Sequence, residues 1–401
     1  MRVIRPATAE EMPEVAKQAS RQLGLSPSMF QGMNPDWTLC AFEDGQIATT
    51  YAFWPLQIRF NGPPVPISGV TWVSTHPAFR RRGNLRAITR QHFEALHEQG
   101  ETAIAGLHPA WMAIYQRYGY GTVNIIHSYT LDPRQLVFAH PVEVPGQLRE
   151  VDIETEFGLL VDVYRRFREE RNGLVHRGRA MWDAGPLSGG PPGHQETVLA
   201  YEEDGEPLGY VVYHAGSGLG RSGPGSGQYL RIMDMFALTP AAHRALWSAL
   251  AASDNVGEIR WDNAPADDPL PNVVVEPRML DVHTRDGIMA RFVTVEDALT
   301  LRPYPERAGL RFELVDDFCE WNAGRWQLET DPEASAMTRI DGQDVDLTLT
   351  PDTLASMVWG RITASDAARA GLLDVHDERA LPRWDAALRT RYVPYEAEHT
   401  W

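Results

Sequence analysis

Two cysteines in 401 residues, Cys40 and Cys319, are too few and too far apart for a disulfide framework. Neither stands at metal-ligand spacing from a histidine, so no metal site is expected and both read as buried free thiols. Long apolar runs are lacking too. No stretch approaches the roughly 20 residues a membrane span requires, and Met-Arg-Val-Ile-Arg-Pro is not followed by the apolar core of a secretion signal. A cytoplasmic protein with no membrane partner is therefore expected. Positive charge is short as well, with 37 Lys and Arg against 54 Asp and Glu and a formal net charge of −17. Sequence-independent affinity for nucleic acid comes largely from neutralising phosphates, so a nucleic-acid partner is not expected. The negative surplus suits a cationic substrate, and it equally suits solubility alone.

What is present is ordinary globular composition, 43% hydrophobic and 23% charged, in a chain long enough for two or three domains. The first 145 residues alternate helix and strand. Thr8 to Gln22 is amphipathic and opens with Thr8 and Glu11 at capping-box spacing. Strands are predicted at Leu39 to Phe42 and Ile47 to Phe60, an Asn61-Gly62 turn reverses the chain, and Pro66 to Thr75 returns. A second copy of this plan lies downstream. Glu43-Asp44-Gly45-Gln46 with Tyr51 has a counterpart in Glu203-Asp204-Gly205-Glu206 with Tyr210, and Val70 to Pro77 corresponds to Ile232 to Pro240. The Gly/Ser/Pro-rich segments Gly185 to Gly193 and Gly216 to Gly227 read as loops.

The most informative segment joins the strand ending at Thr75 to a helix through Arg80-Arg81-Arg82-Gly83-Asn84-Leu85. Apolar Leu85, Ile88, Phe93 and Leu96 mark one face of that helix. Its first-turn N–H groups and dipole, with three arginines and a glycine that allows close approach, suit a pyrophosphate. Alone, the pattern also fits a solvated basic turn. About thirty residues on stands Ala113-Ile114-Tyr115-Gln116-Arg117-Tyr118-Gly119-Tyr120, which also fits an aromatic core helix with a glycine C-cap. In the second copy the helix begins Ala241-Ala242-His243-Arg244, without glycine and with one arginine, so the anion cradle is gone.

Arg80-x-x-Gly83-x-Leu85 resembles the coenzyme-A signature of the GNAT superfamily of N-acetyltransferases, apart from leucine in its third slot. The Ile114-Tyr115-x-Arg117-Tyr118-Gly119-Tyr120 segment is similar to that of the enhanced intracellular survival (Eis) family within it. Ala245-Leu246-Trp247, Asp268-Pro269-Leu270-Pro271, Ile288 to Leu299 and an aromatic last residue extend the resemblance over nearly the whole chain. It implies tandem acetyltransferase folds of mixed α/β (α+β) class, the second degenerate, followed by a sterol-carrier-protein-like α+β domain, in segments 1–145, 146–284 and 285–401. In the last segment, short antiparallel strands are predicted at Leu310 to Leu314, Gly324 to Leu328, Met337 to Ile340 and Val345 to Leu349. Helices are predicted at Thr350 to Trp359, Ser365 to Ala370 and Leu381 to Thr390. The apolar residues of those strands read as core.

By the same resemblance, acetyl-CoA is the co-substrate, held by Val73, Thr75, Arg80, Arg81, Arg82, Gly83 and Asn84. The acceptor is a primary amine of a small cationic or peptide substrate, and the assembly is a homo-oligomer, a hexamer by family analogy. With neither cysteine in a nucleophile setting, direct attack by the amine is favoured over an acyl-enzyme. Tyr115 is the chosen general acid, since a phenol of pKa about 10 stays protonated while a thiolate of about 8.5 departs. The resemblance supplies the terminal carboxylate of Trp401 as base. Trp37 and Trp72 are candidates for an amine pocket, because aromatic faces attract cations, and each fits core packing equally. Ala110-Trp111-Met112-Ala113 stands where the family often has Ser-Glu, and Thr400 is not acidic, which argues against a broad polyamine or aminoglycoside pocket. The competing reading is a non-catalytic coenzyme- or apolar-ligand-binding protein that keeps the fold. Intact Arg80, Gly83 and Tyr115 favour the enzyme.

Overall fold

A computed structural model describes residues 1–26, 30, 32–188, 196–217 and 227–398. It divides into two compact units. One contains Met1–Asn124 and Gly287–Pro394; the other contains Ile125–Asp286 and the tail from Tyr395. Among the described residues no helix is long and apolar enough to cross a membrane. The two expected loops fall largely on residues 189–195 and 218–226, outside the described residues.

The first unit carries a seven-stranded sheet in the order Arg2–Arg5, Cys40–Glu43, Gln46–Arg59, Pro64–Thr75, Ile104–Leu107, Met289–Phe292, Gly121–Thr122. The Asp44-Gly45 and Asn61-Gly62 pairs all take positive φ, as tight hairpin turns require. Helix Met12–Leu23 begins later than its capping-box spacing suggests. Glu11 does reach back to the Thr8 amide at 2.8 Å, but Thr8 supplies its carbonyl to the Glu11 and Met12 amides rather than its hydroxyl.

This two-unit division groups most of the expected segment 285–401 with the first unit, and two strands pair across the expected bounds of 1–145, 146–284 and 285–401. Ile125–Leu131 pairs with Glu258–Pro265 in the second unit. Met289–Phe292, expected to open the last domain, pairs with Ile104–Leu107 and Gly121–Thr122. Its four residues are buried, which suits an interior strand. Arg291, fully buried, donates to the Tyr118 carbonyl at 2.5 Å and pairs with Asp316. Gly119 has φ +79, and a Cβ there would meet the Arg291 guanidinium. The glycine of the Tyr-Gly-Tyr segment is therefore a packing requirement.

A five-stranded sheet completes the first unit, in the order Ala336–Arg339, Gly324–Thr330, Ala308–Leu314, Leu347–Leu349, Leu373–Val375. The expected all-antiparallel arrangement is corrected at one place: Leu347–Leu349 runs parallel to Ala308–Leu314. That connection passes through Gly324–Thr330 and Ala336–Arg339, long enough to return the chain in the same direction. Leu310, Phe312, Leu328, Leu347 and Leu349 are core.

The second unit is built on the order His283–Asp286, Ile125–Leu131, Glu258–Pro265, Gln228–Ala237, Glu206–Ser217, Glu196–Glu203, Gln147–Glu150. Asp204-Gly205 repeats the positive-φ hairpin turn of Asp44-Gly45, and the helix Pro240–Ala251 follows its strand as Asn84–Gln99 does in the first unit.

Candidate active site

In the first unit, Pro64–Thr75 pairs in parallel with Ile104–Leu107 only from Ser68 to Val70. Beyond Val70 it keeps its antiparallel partner, Gln46–Arg59, with a bulge opposite Tyr51. The far edge of the strand from Thr71 to Thr75, which holds Val73, has no strand beside it among the described residues, so its backbone groups can serve a ligand. Trp72 sits in the bulge at φ +53, a conformation unfavourable for a bulky residue and maintained by its surroundings. The buried Thr50 hydroxyl donates to the Trp72 carbonyl at 2.7 Å and lies 2.6 Å from the Ser74 hydroxyl. Thr50→Val is expected to strand both partners, lowering stability by about 1–3 kcal/mol; a shift of the urea midpoint at constant slope measures it.

The loop after Thr75 ends in Arg81 at φ +62 and Gly83 at φ +78, the residue that starts helix Asn84–Gln99. Gly83 brings no capping side chain, and nothing stands within 4 Å of where its Cβ would be. Among the described residues the amides of Arg81 to Arg86 have no backbone acceptor, and the positive end of the helix lies open beside them.

The arginines do not converge as expected. Arg80 donates to Gln22 at 3.0 Å and to the Thr75 carbonyl at 3.4 Å. Arg82 is held by Glu43 at 2.8 Å and by the Ala78 carbonyl at 2.9 Å. Glu43 also accepts from the Asn84 side chain at 2.9 Å; these two donors, Asn84 first, hold its carboxyl below the usual range. Arg81, exposed, has no side-chain partner among the described residues. The triplet thus divides between one outward charge and two braces for the loop. Glu43 escaped the sequence reading because its neighbouring Asp-Gly turn explains its position without a role.

Tyr115 lies on the short helix Met112–Gln116 and packs in one apolar cluster with Val70, Val73, Leu107 and Tyr120. Trp111, just before that helix, is 74% exposed and outside that cluster. Burial pushes the Tyr115 phenol up to about 12, so it remains a donor at every working pH. In the same unit, His92 is fully buried between the Tyr51 hydroxyl at 2.7 Å and the Ser68 hydroxyl at 3.1 Å; burial lowers it to about 3, leaving it neutral. This trio carries no motif in the sequence. Trp72 packs against Phe30 and Trp37 against Trp54, in a different cluster that includes the helix Met12–Leu23. Cys40 and Cys319 are buried and unpaired, with thiols pushed up to about 11 and about 12 by burial, which disfavours a thiolate nucleophile. Among the described residues no acidic, histidine or cysteine group could hold a metal. Trp401 lies outside the described residues.

The second unit closes the same feature. Helix Pro240–Ala251 is capped by the Thr239 hydroxyl, which accepts from the Ala242 amide at 3.1 Å, and Arg244 turns to the His140 carbonyl at 2.6 Å over the Phe138 ring. A self-capped helix start has spent the donor an anion would use.

Family models agree with this architecture. Residues 3–123 and 173–292 each match an acetyltransferase (GNAT) domain, and 295–396 match a sterol carrier protein domain. An uncharacterised N-acetyltransferase of Streptomyces avermitilis is 30% identical over 346 residues, 84% of this chain and 82% of that one. N-acetyltransferase Eis of Mycobacterium tuberculosis is 29% identical over 345 residues, 84% and 81% of the two chains. Among solved structures, Eis1 from Mycobacterium abscessus has 25% identity and a TM-score of 0.85 over 99% of both chains. A GCN5-related N-acetyltransferase from Anabaena variabilis, at 21% identity, shares the fold with a TM-score of 0.87, covering 99% of this chain and all of its own. With two acetyltransferase folds, one open helix start and a sterol-carrier-like domain, the chain belongs to the Eis family of GNAT N-acetyltransferases and is an acetyltransferase enzyme.

Proposed function

We propose that this enzyme transfers acetyl from acetyl-CoA directly to a primary amine of a small cationic or peptide substrate. The observation that carries the reading is the contrast between its two helix starts: Gly83 leaves one open beside an unpaired strand edge, while Thr239 caps the other. The fit to acetyl-CoA rests on the free amides of Arg81 to Arg86 and the outward Arg81 for the pyrophosphate. Arg80, Arg82 and Asn84 fix that loop, and Val73 and Thr75 offer backbone groups to the pantetheine arm. Bound there, the co-substrate supplies an activated acetyl group.

The chain's residues do the rest. The strand edge polarises the thioester carbonyl. Trp37, only partly buried, is the aromatic wall for the amine, while Trp72 is packed into the core. The Trp401 carboxylate orients the amine, directly or through one bridging water that takes its proton as the C–N bond forms, and Tyr115 donates a hydrogen bond to the sulfur as the C–S bond breaks. In this reading segment 1–145 carries the catalysis, 146–284 is architectural, and 285–401 brings the tail; the protein works as a cytoplasmic homo-oligomer, with the hexamer tested by sedimentation.

The deciding experiment is release of free coenzyme A from acetyl-CoA against a panel of primary amines. Release dependent on a particular amine, with matching acetylated product, supports the proposal, and none with any amine overturns it. Calorimetry is expected to give one coenzyme site per chain. Replacing Arg81 and Arg82 together with alanine should weaken binding: the Arg81 change removes a charge-assisted contact worth about 1.5–3 kcal/mol, and the Arg82 change releases the brace of the loop that presents it. Two sites, or unchanged affinity in the double variant, contradicts it.

A further inference from the structure

In the second unit, Gln228–Ala237 pairs in parallel with Glu258–Pro265 from Tyr229 to Ile232 and then parts from it. Ile232 is the sequence counterpart of Val70, where the equivalent pairing ends in the first unit. Both folds therefore open a cleft at the same place. In the second it is filled from within the chain. The Asn263 side chain donates to the Ala397 carbonyl at 2.5 Å, and the Tyr395 hydroxyl donates to the Asn263 carbonyl at 2.6 Å. The Tyr395 amide donates to the Asn172 carbonyl at 2.8 Å. Gly173, at φ +100, lets the tail pass, since a Cβ there would stand 2.5 Å from the Tyr395 carbonyl.

Charge locks this segment in place. Arg177 donates to Glu398 at 2.5 Å and to Asp234 at 2.6 Å, with all three side chains at most 5% exposed. Its guanidinium lies over the rings of Tyr164 and Trp182, at 4.2 and 4.7 Å, and Tyr210 donates to Asp234 at 2.7 Å. Asp234 lies just past the point where the two strands separate, so Arg177 bridges the cleft wall to the tail. A buried arginine shared by two carboxylates has geometric specificity that a surface pair lacks.

We propose that the degenerate acetyltransferase fold has become a dock for the chain's own C-terminal segment, with Arg177, Asp234 and Asn263 acting as positioning residues that fix Tyr395 to Glu398 and, through them, the terminal carboxylate. The structural half of this stands on the contacts above; the catalytic half rests on the reading of the Trp401 carboxylate as base. It also explains why two acetyltransferase folds should provide one coenzyme site: the second cleft is occupied by peptide.

The test uses the full chain. Glu398→Ala leaves the Arg177–Asp234 pair intact, and Asn263→Ala removes the Ala397 contact without touching a charge. In each, hydrogen exchange of the Tyr395 amide should accelerate at least tenfold, kcat should fall at least tenfold, and acetyl-CoA affinity should stay unchanged. Glu398→Gln keeps an acceptor for Arg177 and should restore much of both losses. Exchange that stays slow in both alanine variants overturns the dock. Fast exchange with undiminished kcat upholds the dock and overturns the carboxylate as base.

Discussion

Tyr115→Phe is expected to lower kcat by about 10²- to 10³-fold while leaving acetyl-CoA affinity unchanged. The substitution deletes one donor and almost no volume from a cluster that packs against Val73 and Leu107. The phenol is pushed by burial to about 12, against about 8.5 for a departing thiol, so complete proton transfer to sulfur would be uphill by roughly 5 kcal/mol. Its contribution is then a hydrogen bond that strengthens as negative charge develops on sulfur, which sets the expected loss at that of one oxyanion donor. The sign of the pH dependence follows. A raised phenol stays neutral as pH rises, so Tyr115 should produce no descending limb in kcat below about pH 10. Stopped-flow or steady-state measurements at saturating acetyl-CoA check both points, and turnover in the phenylalanine variant equal to wild type would remove Tyr115 from the chemistry.

How far the site could be read from sequence depended on whether a feature was local. The open helix start was legible because glycine, strand and helix are contiguous between Thr75 and Leu85. Tyr115 came with its motif. The Asp-Gly turns announced the duplication, since two positive-φ residues in a row leave few sequence choices. What stayed hidden depends on distant partners. Glu43 claims Arg82 and Asn84 from 39 and 41 residues away, turning a supposed three-arginine cradle into a braced loop. The parallel pairing of Leu347–Leu349 and the transfer of Met289–Phe292 into the first sheet follow from topology, and short apolar strands read alike in either setting. Arg177 is the extreme case: its partners lie 57 and 221 residues away, and a lone arginine between Val175 and Gly178 carries no local pattern.

Fusing residues to the C-terminus should cripple turnover, by about 10²-fold or more, whereas the same tag at the N-terminus should be tolerated. An α-carboxylate of pKa about 3.5 is a weak base in water, so it acts by orienting the amine or through one bridging water. Its position therefore matters as much as its charge, within hydrogen-bond reach of about 3 Å. A fusion replaces that carboxylate with a neutral amide and moves the new terminus away. It does so without touching the contacts of Tyr395 to Glu398, which separates this test from the dock. Deleting Trp401 should also be harmful, because the carboxylate retreats by one residue and the aromatic side chain goes with it. At the other end, the Met1 ammonium makes an exposed pair with Asp44 at 2.6 Å, whose loss to a tag has little effect. Coenzyme binding and thermal unfolding are measured on all three proteins, so that a folding defect is not mistaken for lost chemistry. Equal turnover in the two tagged forms would place the base elsewhere in the first unit.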